Sequence, residues 1–376
     1  MAARRVLIAP DSFKGSIRSV DAAQAIARGW HDAHPDDQIE LYPMADGGEG
    51  TTEVLAYAIP QAHWRGLKQP RTTKDGPGPS RWLQLPDGTA VIELAASCGL
   101  ELYDKPQPMT ASTYALGQTI AAALDAGATS LVIALGGSAS TDGGTGALRA
   151  LGARFLDKHS RDLPLGGGAL QQLATIDVSN LRQPPPGGVE VLTDVATTLL
   201  DPHGAAHTFA PQKGATPEQV EELATGLRRL DDLVHRLTRQ AANRADTRHA
   251  DEPGSGAAGG TGYGLMALWQ TQLVPGAKRI ADLVGMPDSL ETYDVVISGE
   301  GQLDDTTAQG KVVHEVLSRA ENAQKRIVIC GTDARTMPDT TSLRIVELST
   351  LARSARAAMN EPARWLTAAG KLINLD

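Results

Sequence analysis

The 376-residue chain has few cysteines, few aromatics, no excess of positive charge and no long apolar run. Its two cysteines, Cys98 and Cys330, stand far apart, which excludes a disulfide framework and a clustered cysteine metal site and fits a reducing cytoplasm. No stretch approaches the ~18 consecutive apolar residues of a membrane span. After Arg4-Arg5 the apolar run is only Val6-Leu7-Ile8-Ala9, too short for the core of a secretory signal. Lys plus Arg number 35 against 44 Asp plus Glu, so the net charge of −9 repels a phosphodiester backbone and no nucleic-acid partner is expected. The nine histidines form no HExxH, and His203 and His207, though i and i+4, flank Gly204 in a loop-like stretch, which argues against zinc; no Gly-x-Ser-x-Gly elbow supports acyl-transfer chemistry. With 41% hydrophobic and 21% charged residues the chain can bury a substantial core. Its length sets a prior of two domains.

What the chain has in excess is glycine, 39 residues or about a tenth against a usual ~7%, gathered in clusters. The opening reads as β-α-β. Val6 to Ala9 forms a strand, Ser19-Val20-Asp21 opens a helix with Val20, Ala23, Ile26, Ala27 and Trp30 on one face, and Gln38 to Tyr42 is a second strand. The C-terminal part repeats this grammar, with a strand at Val295 to Ile297, a helix from about Lys311 to Ala323 and a strand at Arg326 to Cys330. The spacing therefore predicts an α/β protein in which both chain ends, 1–60 and 290–376, complete one Rossmann-like parallel sheet. Residues 61–289 form an inserted α/β domain, with the active site expected in the cleft between the two. Within the insert, Arg81 to Leu85 and Ala90 to Leu94 flank a Pro-Asp-Gly turn, a helix runs from about Thr113 to Ala126, and Ser130 to Leu135 is a buried strand. Thr216-Pro217-Glu218-Gln219 is a capping box ahead of a core stripe of Val220, Leu223, Leu227, Leu230, Val234 and Leu237.

The densest chemical signal is the run from Gly136 to Gly146, Gly-Gly-Ser-Ala-Ser-Thr-Asp-Gly-Gly-Thr-Gly, between that strand and a helical stretch. Glycines let backbone N–H groups approach an anion, hydroxyls add donors and a helix N-terminus adds positive potential, so Gly136, Gly137, Ser138, Asp142, Gly143 and Gly144 are candidate phosphate-binding residues. No Walker A lysine follows them. A second run, Pro253 to Gly264, contributes Gly256, Gly259 and Gly260 to the same expectation. Carboxylates fall where strands end: Asp46 and Glu49, Asp194, and Glu300 with Asp304. In open α/β sheets that is where ligands collect, and acidic groups there suit Mg2+ or the activation of a hydroxyl. Lysines are sparse, which draws attention to Lys14, Lys213 and Lys311, each beside glycine. A pyrophosphate-binding oxidoreductase and a non-catalytic sensor of sugar acids or nucleotides are the alternative readings. Against the first, no Gly-x-Gly-x-x-Gly follows the first strand.

Six segments occur in the order seen in the bacterial glycerate kinases of glyoxylate and glucarate metabolism, and the chain resembles that family from about residue 5 to residue 330. They are Ala9-Pro10-Asp11-Ser12-Phe13-Lys14-Gly15-Ser16, Ala45 to Thr51, Gly136 to Gly144, Gln212-Lys213-Gly214-Ala215, Pro253 to Gly260, and Gly299-Glu300-Gly301-Gln302-Leu303-Asp304. The resemblance implies ATP-dependent phosphorylation of D-glycerate at the 2-hydroxyl. On it we expect Asp194 to orient the attacking hydroxyl, with Asp46 as rival, and Lys14 to offset charge. Ser12, Glu49 and Lys213 are expected at the substrate, the glycine clusters and Lys311 at the nucleotide, and Glu300 with Asp304 at Mg2+. Departures from the family pattern stand at Thr141, Thr197-Thr198, Thr306 and Val313. Nothing in the sequence indicates an oligomeric state or a membrane partner.

Overall fold

A computed structural model describes residues 3–66, 72–73, 76–200, 202–241, 248–304, 311–335 and 343–373. Thr306 lies outside the described residues. The chain divides into two compact units, one comprising Met1–Asp46, Glu53–Pro60 and Pro275–Asp376, the other Gly47–Thr52 and Gln61–Val274. The division thus falls at 274/275, where the sequence reading set it at 289/290, and the short segment 47–52 joins the second unit. Each shift has a physical reason. Arg319 donates to Asp282 Oδ1 at 2.6 Å and to the Met286 carbonyl at 2.9 Å, tying the 276–286 stretch to helix Val312–Arg319. Thr52 donates through both N and Oγ1 to Glu93 Oε1 at 2.6 Å, tying 47–52 to a strand of the second sheet.

The first unit is built on five parallel strands in the order Leu343–Glu347, Lys325–Asp333, Val295–Leu303, Arg5–Pro10, Gln38–Leu41. Helix Ser19–Ala33 crosses from the first strand to the edge and buries Ala22, Ala23, Ala25, Ile26 and Trp30, while Val20 and Ala27 are only half-buried. The buried face is thus rotated slightly from the one the sequence spacing suggested. From Arg5–Pro10 the chain winds one way to Gln38–Leu41, and from Val295–Leu303 it winds the other way. The strand order therefore reverses between these two central strands, and outside their carboxyl ends lies the switch-point crevice of an open α/β sheet. Val295–Leu303 is longer than expected. Glu300 stays paired with Cys330, and Gln302 with Thr332, so Gly299-Glu300-Gly301 belongs to the strand and not to a loop after it.

The second unit carries six strands in the order Gln272–Val274, Val189–Leu192, Ser130–Ala134, Thr89–Glu93, Trp82–Gln84, His63–Arg65. The first four are parallel; Trp82–Gln84 is joined antiparallel to Thr89–Glu93 by the expected Pro-Asp-Gly turn, and His63–Arg65 pairs antiparallel with Trp82–Gln84. Helix Tyr114–Asp125 stops at Gly127, whose φ of 89° suits glycine. Helix Pro217–Ala241 begins as the sequence signals it: Thr216 N donates to Gln219 Oε1 at 3.0 Å and Gln219 N to Thr216 Oγ1 at 3.3 Å. Behind the cap Val220, Leu223, Leu227, Leu230 and Val234 are buried in the main core with Ile92, Leu131, Ile133, Val191 and Trp269. Cys98 and Cys330 are buried free thiols. Among the described residues no helix is long and apolar enough to cross a membrane.

Candidate active site

In the first unit the switch point collects carboxylates. Asp11 follows directly on strand Arg5–Pro10, and its N–H donates to the Gly299 carbonyl at 2.8 Å, which sets it beside Glu300. Asp46 lies beyond the neighbouring strand. Asp11 is half-buried, Glu300 buried. Burial first, and then the charges of Asp46 and Glu300, push the Asp11 carboxyl well above the usual carboxylate range; a hydrogen bond from Ser12 N to its Oδ1, at 2.6 Å, works in the opposite direction. Ser12 thus reaches this group through its backbone and its hydroxyl. Lys14 is exposed, in a tight loop closed by Phe13 N donating to Ile17 O at 2.9 Å, and a Cβ on Gly301 would lie 3.1 Å from Lys14 N, so this loop rests on the glycine after Glu300. Asp304 pairs with Lys311 at 3.8 Å, which brings a residue expected at the metal together with one expected at the nucleotide. Among the described residues no group of three or more His, Cys, Asp and Glu side chains could hold a metal ion by itself. Glu300 and Asp304 still fit Mg2+ that arrives with a nucleotide, because such an ion needs only one or two carboxylates and completes its shell with phosphate and water.

In the second unit Glu93, Ala134 and Leu192 are paired in one register row at the ends of three parallel strands. Two residues beyond Ala134 is Gly136, and two beyond Leu192 is Asp194, which is half-buried. Gly136 packs so closely on the 47–52 segment that a Cβ there would lie 2.5 Å from Gly48 Cα. Glu49 in that segment is exposed. Gly137 is exposed with φ 75°, and Ser138 is buried.

The rest of the glycine run does something other than what its composition suggested. Asp142 is fully buried. Its Oδ2 accepts from Thr113 N at 2.8 Å, Thr113 Oγ1 at 2.9 Å and Gly146 N at 3.2 Å, and its Oδ1 accepts from Gly144 N at 3.1 Å. Burial raises this carboxyl and the four donors pull it back down. Gly143 N donates to the Gly259 carbonyl at 3.0 Å. The amides of Gly143, Gly144 and Gly146 are therefore spent on protein acceptors, and the accessible end of the run is Gly136 and Gly137, ahead of buried Ser138. The helix that follows, Thr145–Ala150, has six residues, too few for a strong terminal dipole. The second glycine run packs on the first: a Cβ on Gly259 would lie 2.2 Å from Ser140 O, and Gly256 N donates to Thr197 O at 2.9 Å. Ala258, Gly259 and Gly260 all have positive φ, forming a left-handed turn inside helix Ala257–Trp269. Two clusters that read as two cradles pack into one joint, whose glycines allow the two backbones to approach closely.

A family model described as the glycerate kinase family matches residues 6–375. The chain belongs to the glycerate kinase family. It is 39% identical over 337 residues to a glycerate kinase of Bacillus subtilis (strain 168), covering 88% of this chain and 86% of that one. To a glycerate 2-kinase of Escherichia coli (strain K12) it is 36% identical over 329 residues, covering 86% and 84%. A crystal structure from Salmonella typhimurium LT2, provisionally named glycerate kinase 2, superposes with a TM-score of 0.76 at 32% identity and covers 98% of this chain and 96% of its own. The chain is thus a kinase with the mixed α/β fold of that neighbour, and the oxidoreductase and sensor readings fall.

Sequence reasoning about this glycerate kinase passed over three groups. Asp11 stood inside a quoted motif, and the strand-end rule that singled out Asp194 would have found it. Glu93 ends a strand in the same way. The third is Asp231, a buried carboxylate that accepts from Tyr263 Oη at 2.8 Å and joins the long helix to the left-handed turn's helix. Its signal was a charge set among Leu227, Leu230 and Val234.

Proposed function

We propose that this glycerate kinase transfers the γ-phosphoryl group of ATP to the 2-hydroxyl of D-glycerate, giving 2-phosphoglycerate and ADP. The observation that supports this most is the register row Glu93, Ala134, Leu192, because it sets the open glycine stretch and Asp194 at the same edge of one sheet. Phosphoryl transfer asks for positioning and electrostatic stabilisation more than for covalent chemistry. In this reading the backbone amides of Gly136, Gly137 and Ser138 hold phosphate oxygens. Asp142, Gly143, Gly144, Gly256, Gly259 and Gly260 keep that stretch in shape from behind. The Asp194 carboxylate accepts the proton of the attacking hydroxyl as its oxygen bonds to phosphorus and the bond to ADP breaks; Asp46 is the rival for this step. Ser12, Lys14 and Glu49 serve the substrate, Lys14 as a point charge against carboxylate or phosphoryl oxygens. Glu300 and Asp304 would hold Mg2+, with Lys311 beside them, and the ion would supply charge neutralisation on the phosphates.

The reading is tested by incubating the protein with Mg·ATP and D-glycerate and locating the phosphate by 31P–1H NMR. 2-Phosphoglycerate formed only with both substrates, and abolished by EDTA, is expected. 3-Phosphoglycerate would overturn the regiochemistry, and turnover unaffected by EDTA would remove Glu300 and Asp304 from the assignment.

A further inference from the structure

Lys213 ends the short 3-10 turn Pro211–Lys213 and is only 2% exposed, which is unusual for a lysine expected at a small polar substrate. Its side chain donates from Nζ to the carbonyl of Ser140, in the middle of the glycine loop. Ser140 is itself fully buried, its carbonyl also accepts from Ser138 Oγ at 3.3 Å, and its N–H donates to Ser138 Oγ at 3.1 Å. The loop's own carboxylate, Asp142, is the opposite charge that acts most strongly on the lysine. We infer that Lys213 is a positioning residue of the phosphate loop: its ammonium holds the 138–142 segment from behind, through the Ser140 carbonyl and the charge of Asp142, and does not touch glycerate. This inference rests on reading Gly136 to Ser138 as the phosphate-binding stretch.

Geometry makes the role specific. Gly136 and Gly137 are the accessible end of a loop whose other end is fixed by Asp142 on Thr113 and by Gly143 on Gly259. Ser138 and Ser140 are the hinge between these parts, and Lys213 is the only cation bonded there among the described residues. Burial pushes the lysine down to about 8, opposed by Asp142 and then by Cys98. The other groups around it are Cys98, Tyr103, Asp142 and His207. Burial pushes the Cys98 thiol up and the Tyr103 phenol up to about 12, Asp142 keeps its four donors, and His207 on the adjoining helix Ala205–Phe209 pairs instead with Glu221 at 3.0 Å. The charge that holds the loop is therefore lost as pH rises through the range near 8.

The test uses the full chain. Lys213→Met, close to lysine in volume but without charge, is expected to raise the ATP Kd roughly tenfold at pH 7, the size of one lost hydrogen bond to a charged group, while the KM for D-glycerate changes less than about twofold. Wild-type ATP affinity measured by calorimetry should fall several-fold between pH 7 and 9.5, and in Lys213→Met it should not. A raised KM for D-glycerate with unchanged ATP affinity would make Lys213 a substrate ligand and overturn the proposal, as would wild-type ATP affinity constant across this range. Should the variant not fold, amide hydrogen exchange in the wild type decides. After correction for intrinsic rates, peptides covering 136–144 should lose protection at pH 9.5 while those covering 295–303 do not, and equal protection at both pH values overturns the proposal. Neither binding nor exchange requires phosphoglycerate to form, so failure of the proposed activity would be seen separately.

Discussion

The two sheets present the same architectural edge, the carboxyl ends of parallel strands, and fill it with opposite electrostatics. At the first unit's edge Asp11 is desolvated and its neighbours, Asp46 and Glu300, add to the strain. At the second unit's edge Lys213 is desolvated and its neighbour, Asp142, relieves it. The first edge is more stable when a proton or cation arrives; the second is already balanced, with its charge hidden behind a neutral surface of glycine amides and hydroxyls. That difference teaches what each can do: an edge where carboxylates crowd one another attracts cations and protons, whereas an internally neutralised loop can accept an anion without first losing a partner.

The largest expected effect decides which edge supplies the base. Asp194→Asn should lower kcat by on the order of 10²-fold or more with little change in nucleotide affinity. If Asp46→Asn does this and Asp194→Asn does not, the base belongs to the first edge. Next in size is the glycine joint. Gly259→Ala should lower stability by about 3 kcal/mol, since its Cβ would lie 2.2 Å from a buried carbonyl at a φ of 67°. Gly137→Val, at the exposed end, should fold with a loss of roughly 1–2 kcal/mol and weaken ATP binding about tenfold. A folded Gly137→Val protein with normal ATP affinity would make the whole run a structural turn. At the acidic edge the sign follows from linkage. Asp11 is raised in the folded state, so the stability it contributes is complete below the unfolded carboxylate range and is lost as pH rises through its folded value. Asp11→Asn should therefore flatten the fall in thermal midpoint with rising pH in EDTA; a steeper fall would refute the crowding.

Local features of this fold were legible because their causes are local. The capping box at Thr216, the stop at Gly127 and the turn at Pro86-Asp87-Gly88 each depend on residues within a few positions. The chemistry at the site was only half legible, because glycine has two uses that composition does not separate. It frees amides for an anion, as Gly136 and Gly137 can, and it lets backbones touch, as Gly143 and Gly259 do across more than a hundred residues of sequence. Asp11 was passed over, and the burial of Lys213 against Ser140 went unread, for the same reason: Ser140, Asp46 and Glu300 are brought near them only by tertiary structure. Strand length failed too, since the pairing of Glu300 with Cys330 extends a strand through glycines that look like a loop.

The smallest effect falls at a residue next to the largest structural one. Ala258 has φ 52°, ψ 42°, a left-handed conformation that costs a residue bearing a Cβ about 1–2 kcal/mol. Replacing it with glycine relieves that strain, but adds freedom to the unfolded chain, worth about 0.4–1 kcal/mol, and removes a half-buried methyl group. These terms nearly cancel, so Ala258→Gly should change stability by less than about 1 kcal/mol and leave ATP affinity intact. One residue on, Gly259→Ala should be severely destabilising, because there the Cβ meets the Ser140 carbonyl. Thermal and denaturant unfolding of the two variants, side by side, read this contrast. A loss above 1 kcal/mol in Ala258→Gly would mean that the alanine methyl, and not the left-handed turn around it, holds the two glycine runs together.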